Sequence, residues 1–311
     1  MTGALPALQE LLPCPLAAVD LIVGTSAGSV LAAALRCGTG IGEMIAHQRG
    51  EAVGALADAG VSDVTGGPWP PPPMLRVGSP RLMLTSLLMP HRVHPGVGAS
   101  AWMLRGRGTH QALREMVHAL HTHAYGHTVP HGSSANWVGG GRTWIVAVDY
   151  DRGRRVFFGR PGAPRAALPD AVVASCSIPG WYEPAVIGGR RYVDGGVRSP
   201  TSVGMMARAG VGEVFVLAPM ASVVAGRPRM PHEHLERQLR ALITMTMLRE
   251  VRALRAAGIG VTVLTPGPED LAVMGVNLMD PRRRRPVFET SLTTSAAALA
   301  GPAASAAEAV A

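Results

Sequence analysis

An α/β fold is the class this sequence predicts, and three observations predict it. Short β-branched runs alternate with stretches of helical spacing, and a strand, a tight turn and a helix follow one another directly between residues 19 and 36. In addition, 47% of residues are apolar and only 16% charged, the balance of a chain that buries a large core. At 311 residues the chain is long enough for one large domain or two small ones.

The elements are read in chain order. Leu5, Leu8, Leu11 and Leu12 recur at helical spacing, so a short amphipathic helix precedes a strand over Val19 to Val23 and a helix over Ser29 to Arg36. Ile41 to Ala59 is weakly helical. The proline run from Gly66 to Pro73 suits neither a helix nor a central strand and opens a variable insert or lid at about 60–140. Within it, the uncharged stretch Leu82 to Met89 reads either as a core helix or as an apolar flap over a lipid-binding cleft. Thr109 to Leu120 is helical and runs into His118, His121, His123, His127 and His131. No acid or cysteine lies among these, and Gly126 and Pro130 break the spacing, so a solvated loop is expected in place of a zinc site and no metal is assigned.

Beyond the insert, Trp144 to Val148 and Val156 to Phe158 are strands about a turn at Asp151-Arg152-Gly153. Pro169 opens a short helix over Asp170 to Ser175. The strands Val186-Ile187 and Arg191-Tyr192-Val193 flank Gly188-Gly189, a two-residue hairpin turn that delivers Asp194-Gly195-Gly196. A strand at Glu213 to Leu217, a long helix from His232 to Ala257, a strand at Ile259 to Leu264 and helices at Pro268 to Gly275 and Pro281 to Leu299 complete the pattern. Residues 296–311 are nearly all small and read as a low-complexity tail, leaving 1–295 as a single α/β domain.

The formal charge of +8 comes from 29 basic residues, all arginine. Such a field favours an anionic membrane surface or nucleic acid over an acidic protein. Nucleic acid fits poorly and is not expected as a partner, since aromatics are only 4% and no zinc-finger or RNP signature is present. Arg282 to Arg285 could meet lipid headgroups, but a solvated face at the start of the last helix is the favoured reading. Cys14, Cys37 and Cys176 are scattered and odd in number, which suggests a reducing compartment. With no basic n-region, no signal peptide is expected and the protein reads as cytoplasmic or peripheral at a membrane. Leu11 to Leu35 contains Pro13, Pro15, Asp20, Gly24 and Gly28, which fits a buried strand-turn-helix better than a bilayer span.

Gly24-Thr25-Ser26-Ala27-Gly28 matches G-x-S-x-G between that strand and that helix, the context of a nucleophile elbow. Small residues at Gly24 and Gly28 allow a sharp turn and close strand–helix packing. They leave the Ser26 hydroxyl exposed where the helix N-terminus favours an oxyanion. A serine needs a base. A triad in the order Ser, Asp, His would draw on His232 or His234, whereas Asp194, at a strand end and followed by Gly195 and Gly196, is the better placed acid.

In order and spacing, the elbow, the stretch Ala174-Ser175-Cys176-Ser177-Ile178-Pro179-Gly180 with Pro184, and Tyr192-Val193-Asp194-Gly195-Gly196 resemble the patatin-like phospholipase family over roughly residues 3 to 220. The resemblance implies a three-layer α/β/α fold with a mostly parallel central sheet and hydrolysis of acyl esters in lipids. Its catalytic pair is a dyad without histidine, Ser26 as nucleophile and Asp194 as base, with no cofactor. The substrate it implies is a phospholipid or another lipid ester. Family members also carry a G-G-G-x-R/K-G oxyanion loop ahead of the elbow strand, and Thr2-Gly3 is its only counterpart here. The elbow itself, chiefly the Ala27 N–H, is therefore expected to face the oxyanion. The alternative is a protein of impaired turnover that binds lipid or membrane surfaces.

Overall fold

The β-branched run before the elbow forms strand β1 (Leu21–Thr25), helix α2 (Ala27–Arg36) follows after a single residue, and α3 (Ile41–Arg49) comes next. They belong to a computed structural model that describes residues 1–51, 53–56, 72–126, 138, 141–223, 231–275 and 280–300. The chain divides into two compact units, Leu16–Arg198 on the one hand and Met1–Pro15 with Ser199–Ala311 on the other. The described part of the expected insert, 72–126 and 138, lies within the first of these units. Most of the proline run, together with His127, His131 and the end of the tail, falls outside the described residues.

The Leu16–Arg198 unit is built on one mixed sheet. Its centre is β4 (Arg142–Asp149), whose side chains are buried on both faces from Thr143 onward. It pairs in parallel with β1, Leu21 opposite Arg142 through Thr25 opposite Val146. It pairs antiparallel with β5 (Arg154–Phe158), from Ile145 opposite Phe158 to Asp149 opposite Arg154. A third partner is β7 (Arg190–Asp194), antiparallel, with Ala147 opposite Asp194 and Asp149 opposite Tyr192. A short antiparallel strand, β6 (Ala185–Ile187), completes the sheet.

A mostly parallel sheet is the expectation from the resemblance; this one is mixed, and two tight turns account for two of its antiparallel pairings, β4–β5 and β6–β7. Gly153 has φ +66°, and Gly188 and Gly189 have φ +55° and +73°. Such left-handed turns send the chain straight back beside the strand it left, which only antiparallel pairing allows.

Helices cover both faces. On one side α2 packs on β1, and α7 (Leu168–Cys176) packs on β4 and β7 and against α6 (Gln111–Tyr125). On the other, Leu82 of α4 (Pro80–Leu88) and Val97 and Ala101 of α5 (Pro95–Trp102) join Val148, Tyr150 and Val193 in one buried cluster. The strand period of two sends Val148 and Val193 to that face and their neighbours to the other, giving an α/β/α layering. The stretch expected as either a core helix or a flap is thus a helix with one buried residue, Leu82, and several exposed leucines. Flanking these two helices in sequence, β2 (Met74–Val77) and β3 (Leu104–Arg105) form a small antiparallel pair.

In the second unit, β8 (Glu213–Leu217) and β9 (Gly260–Leu264) pair in parallel, joined through the long helix α8 (Pro231–Ala256). This is a β-α-β crossover, the connection a parallel pair requires. Helix α1 (Leu5–Leu11) buries Leu5 and Leu8. Asp270 in α9 (Pro268–Met274) caps its own helix, accepting from the Gly267 N–H at 2.9 Å, and also accepts from Thr294 in α10 (Arg284–Ala300) at 2.9 Å. Gly3 is packed so closely on α10 that a Cβ would lie 3.0 Å from the Leu292 backbone nitrogen. The residue read from sequence as the counterpart of an oxyanion loop is therefore a spacer in helix packing. Arg282 and Arg283 pair with Asp280, and Arg283 also donates to the Val273 carbonyl. Among the described residues no helix is long and apolar enough to cross a membrane.

The approach of β1 to α2 rests on Gly24 alone. A Cβ there would lie 2.5 Å from both the Gly28 carbonyl oxygen and the Ser29 Cα, whereas one at Gly28 meets no heavy atom within 4 Å. The expectation that both glycines serve the close packing is corrected to one. Gly24→Ala is expected to destabilise by about 3 kcal/mol or more, because backbone has no rotamer with which to yield. Gly28→Ala should shift stability by no more than about 1 kcal/mol, toward greater stability, since alanine favours the helix. Urea unfolding of the two variants measures both; equal losses would refute the assignment.

Candidate active site

Strand pairing brings the two ends of the site together. At Ile145 and Val146, β4 pairs with both β1 and β5, and from Ala147 to Asp149 with both β5 and β7. A strand has two edges, so β1 and β7 share the edge opposite β5, placed end to end. β1 runs parallel to β4 and stops beside Val146; β7 runs antiparallel and stops beside Ala147. Their C-terminal ends face each other, and Ser26 and Asp194 are the residues at which the two chains turn away.

Ser26 has φ +53° and ψ −127°, one of two non-glycine residues among those described with positive φ. A conformation of this kind costs on the order of 1–3 kcal/mol and persists only where the surroundings hold it. They do so on both sides of the residue. The Ser26 N–H donates to the Ser175 hydroxyl at 2.9 Å, and that hydroxyl donates in turn to the Val146 carbonyl at 2.6 Å. The Ser29 hydroxyl donates to the Ser26 carbonyl at 2.6 Å. The side chain is thereby presented at the head of α2, where Ala27 is exposed and the first N–H groups of the helix lack intrahelical acceptors. Those amides and the helix dipole favour negative charge at this place.

Asp194 is buried, its N–H donating to the Ser177 carbonyl at 2.9 Å. Burial pushes its carboxyl up to about 6; hydrogen bonds from the Ser26 hydroxyl and from the Gly196 N–H, the latter at 2.7 Å, act in the opposite direction. The two glycines have separate reasons. At Gly195 a Cβ would lie 2.8 Å from the Val146 carbonyl and 3.1 Å from Thr25 Cγ2, so the chain leaves β7 through a gap with no room for a side chain. Gly196 supplies the amide that holds the carboxylate.

Two neighbours were not singled out from sequence. Ser175 lies in the Ala174 to Gly180 stretch, but nothing in its spacing revealed that it bridges the elbow to β4. His110 donates through Nε2–H to the Cys176 carbonyl at 3.0 Å and stacks on Tyr182 at 3.7 Å between ring centroids. Desolvation pushes it down to about 4, so it is neutral at physiological pH and, facing a carbonyl, carries its proton on Nε2. Desolvation pushes the Cys176 thiol up to about 12, with Asp194 adding to the effect, so this sulfur beside Ser29 is not a thiolate nucleophile. His232 and His234 open α8, and their side chains fall outside the described residues.

The arrangement provides a half-buried serine on a strained backbone, a buried carboxyl whose pKa that serine lowers, and a helix N-terminus directly after the serine. That set suits proton abstraction from serine and attack on an electrophilic carbonyl. No curated protein matches the chain. A model of the patatin-like phospholipase family matches residues 2–207. Because that match takes in well over half of the chain and runs through both the elbow and the Asp194 loop, the protein belongs to the patatin-like phospholipase family, whose chemistry is the hydrolysis of acyl lipids.

Proposed function

We propose that the protein hydrolyses acyl esters of phospholipids or related lipids through Ser26 and Asp194, by way of an acyl-enzyme. The observation that carries this reading is the convergence of the C-terminal ends of β1 and β7 on one edge of β4, which brings Ser26 and the buried Asp194 carboxyl to the same place. Ser26 Oγ forms a bond to the ester carbonyl carbon while its proton passes to Asp194; the tetrahedral oxyanion lies at the head of α2, where the Ala27 N–H donates to it. As the carbonyl carbon–oxygen bond to the alcohol breaks, Asp194 returns the proton to the leaving alcohol. Water, deprotonated by the same carboxylate, then releases the fatty acid and restores the serine. A base held near 6 takes a proton from serine more readily than an ordinary aspartate and is still ionised at neutral pH. Neither a histidine nor a cofactor enters this scheme.

The first test is turnover of a short-chain nitrophenyl ester and of a phospholipid by the protein and by Ser26→Ala. The variant should lose on the order of 10³-fold or more in kcat/KM and all labelling by a fluorophosphonate probe. Equal rates, or undiminished labelling, would overturn the assignment of the nucleophile.

The second test uses pH. Since the base must be ionised, kcat/KM is expected to rise with pH and level off above about 6. Stability has the opposite sign. Asp194 holds its proton more tightly folded than unfolded, so its ionisation opposes the fold, and its contribution is lost as pH rises from about 4 through about 6. Asp194→Asn should therefore be inactive yet more stable than the parent at pH 8, by up to about 3 kcal/mol, and should lose that advantage below pH 4. Urea unfolding at the two pH values measures it, and a variant less stable at both would sink the assignment of a desolvated carboxylate.

A further inference from the structure

We infer that the α4–α5 surface of the Leu16–Arg198 unit is a docking face for an anionic lipid bilayer; this rests on the reading of the site as a lipid acyl hydrolase. Helix α4 anchors through Leu82, fully buried against Val97, Val148 and Val193. Its other apolar residues point outward: Leu84, Leu87 and Leu88 are 58%, 61% and 70% exposed. Spaced three and four apart, they form one stripe. Leu87 and Trp102, itself 49% exposed, both line an open groove of about 400 Å³ between α4 and α5. Aliphatic side chains left in water at this density mark a surface that another phase or partner covers.

Charge identifies the occupant. From residue 72 to residue 113 there are five arginines and no aspartate or glutamate. Arg81 stands one helical turn before Leu84, and Arg92 lies in the turn that follows α4, so basic residues close the stripe at both ends. Arg76, Arg81, Arg92 and Arg107 are exposed, and none has an ion-pair partner among the described residues. Self-association through a two-fold axis would set this unpaired positive face against its own copy. Nucleic acid would call for stacking aromatics where the stripe has leucine. An interface with an apolar interior and negative headgroups satisfies both the leucines and the arginines, each arginine near such a surface contributing about 1 kcal/mol.

Binding is read by vesicle co-sedimentation in the Ser26→Ala background, which separates docking from turnover. This variant should bind vesicles of phosphatidylcholine with phosphatidylglycerol at least tenfold more tightly than phosphatidylcholine alone, and the preference should shrink in high salt. Leu84→Ser with Leu88→Ser should lower binding at least tenfold with an unchanged unfolding midpoint, since both side chains are exposed. Arg81→Gln with Arg92→Gln should remove most of the anionic preference. Brominated lipid should quench tryptophan emission, and Trp102→Phe should abolish that quenching. Binding that survives the double serine substitution would overturn the proposal. So would a dimer in light scattering that those substitutions dissolve while vesicle binding is absent. Failure of the esterase assay with vesicle binding intact would remove the proposed chemistry and leave the surface standing.

Discussion

The shared edge of β4 is the constraint on which the site depends. A strand edge can hydrogen-bond only one partner at each position, and here two partners divide it, β1 along 142–146 and β7 along 147–149. Because one runs parallel and the other antiparallel, the residues that follow each strand are forced into the same small volume. The carbonyl of Val146 sits at that join, and the Ser175 hydroxyl donates to it while accepting from the Ser26 amide. One buried hydroxyl thus replaces a ladder hydrogen bond and fixes the backbone of the elbow in the same step. The absence of a side chain at Gly195 follows from the same crowding, since a Cβ would press on that carbonyl and on Thr25.

The join concentrates unfavourable terms as well as functional ones. Ser26 occupies a backbone conformation that serine avoids, and Asp194 keeps a carboxyl out of water. Each is held by neighbours that would gain nothing from the arrangement without it: Ser29 and Ser175 for the elbow, Gly196 and the Ser26 hydroxyl for the acid. In the proposed scheme the Ser26 hydroxyl is both the nucleophile and a group that lowers the pKa of its base, Asp194. Folded proteins tolerate such local strain where the surrounding packing is strong. Here that packing is β4, with seven consecutive buried positions from Thr143 to Asp149.

Much of this was legible in the sequence because it depends on local chemistry. The elbow, the Gly188-Gly189 hairpin and the Asp194-Gly195-Gly196 turn each carry their own signal within a few residues. Both helices that pack behind the site, α2 and α7, were read to within two residues at the start and one at the end. Pairing was not legible. Nothing local in Arg142 to Asp149 says that its edge is divided, and so neither the mixed sheet nor the role of Ser175 could be read. Position 28 shows the same limit, since a glycine at a motif position looks obligatory until the space around it is known. The strand before the elbow was read two residues early because Val19 is β-branched, yet the Val19 carbonyl accepts from the Arg36 guanidinium at 2.7 Å, and pairing with β4 begins at Leu21. In α4 the uncharged run was visible, but not which of its leucines the sheet would take.

The alternation of β7 ties the surface of the unit to its chemistry. Val193 points into the cluster with Leu82 and Val97, which holds α4 and α5 on the sheet, while the next residue, Asp194, points to the side of α2 and α7. Successive side chains on a strand cannot exchange faces without a register shift, and such a shift would move every neighbour as well. The layer that exposes Leu84, Leu87 and Leu88 is therefore seated on the residue next to the proposed base. Leu82 and the outward leucines, though they lie within one helix of nine residues, answer to different demands. The first sets the height of the helix above β7 and is closed to water, and the others are free of the core. A helix with one deep anchor can present an apolar stripe without drawing on the packing that orients Asp194, which allows such a stripe to be kept on a folded protein.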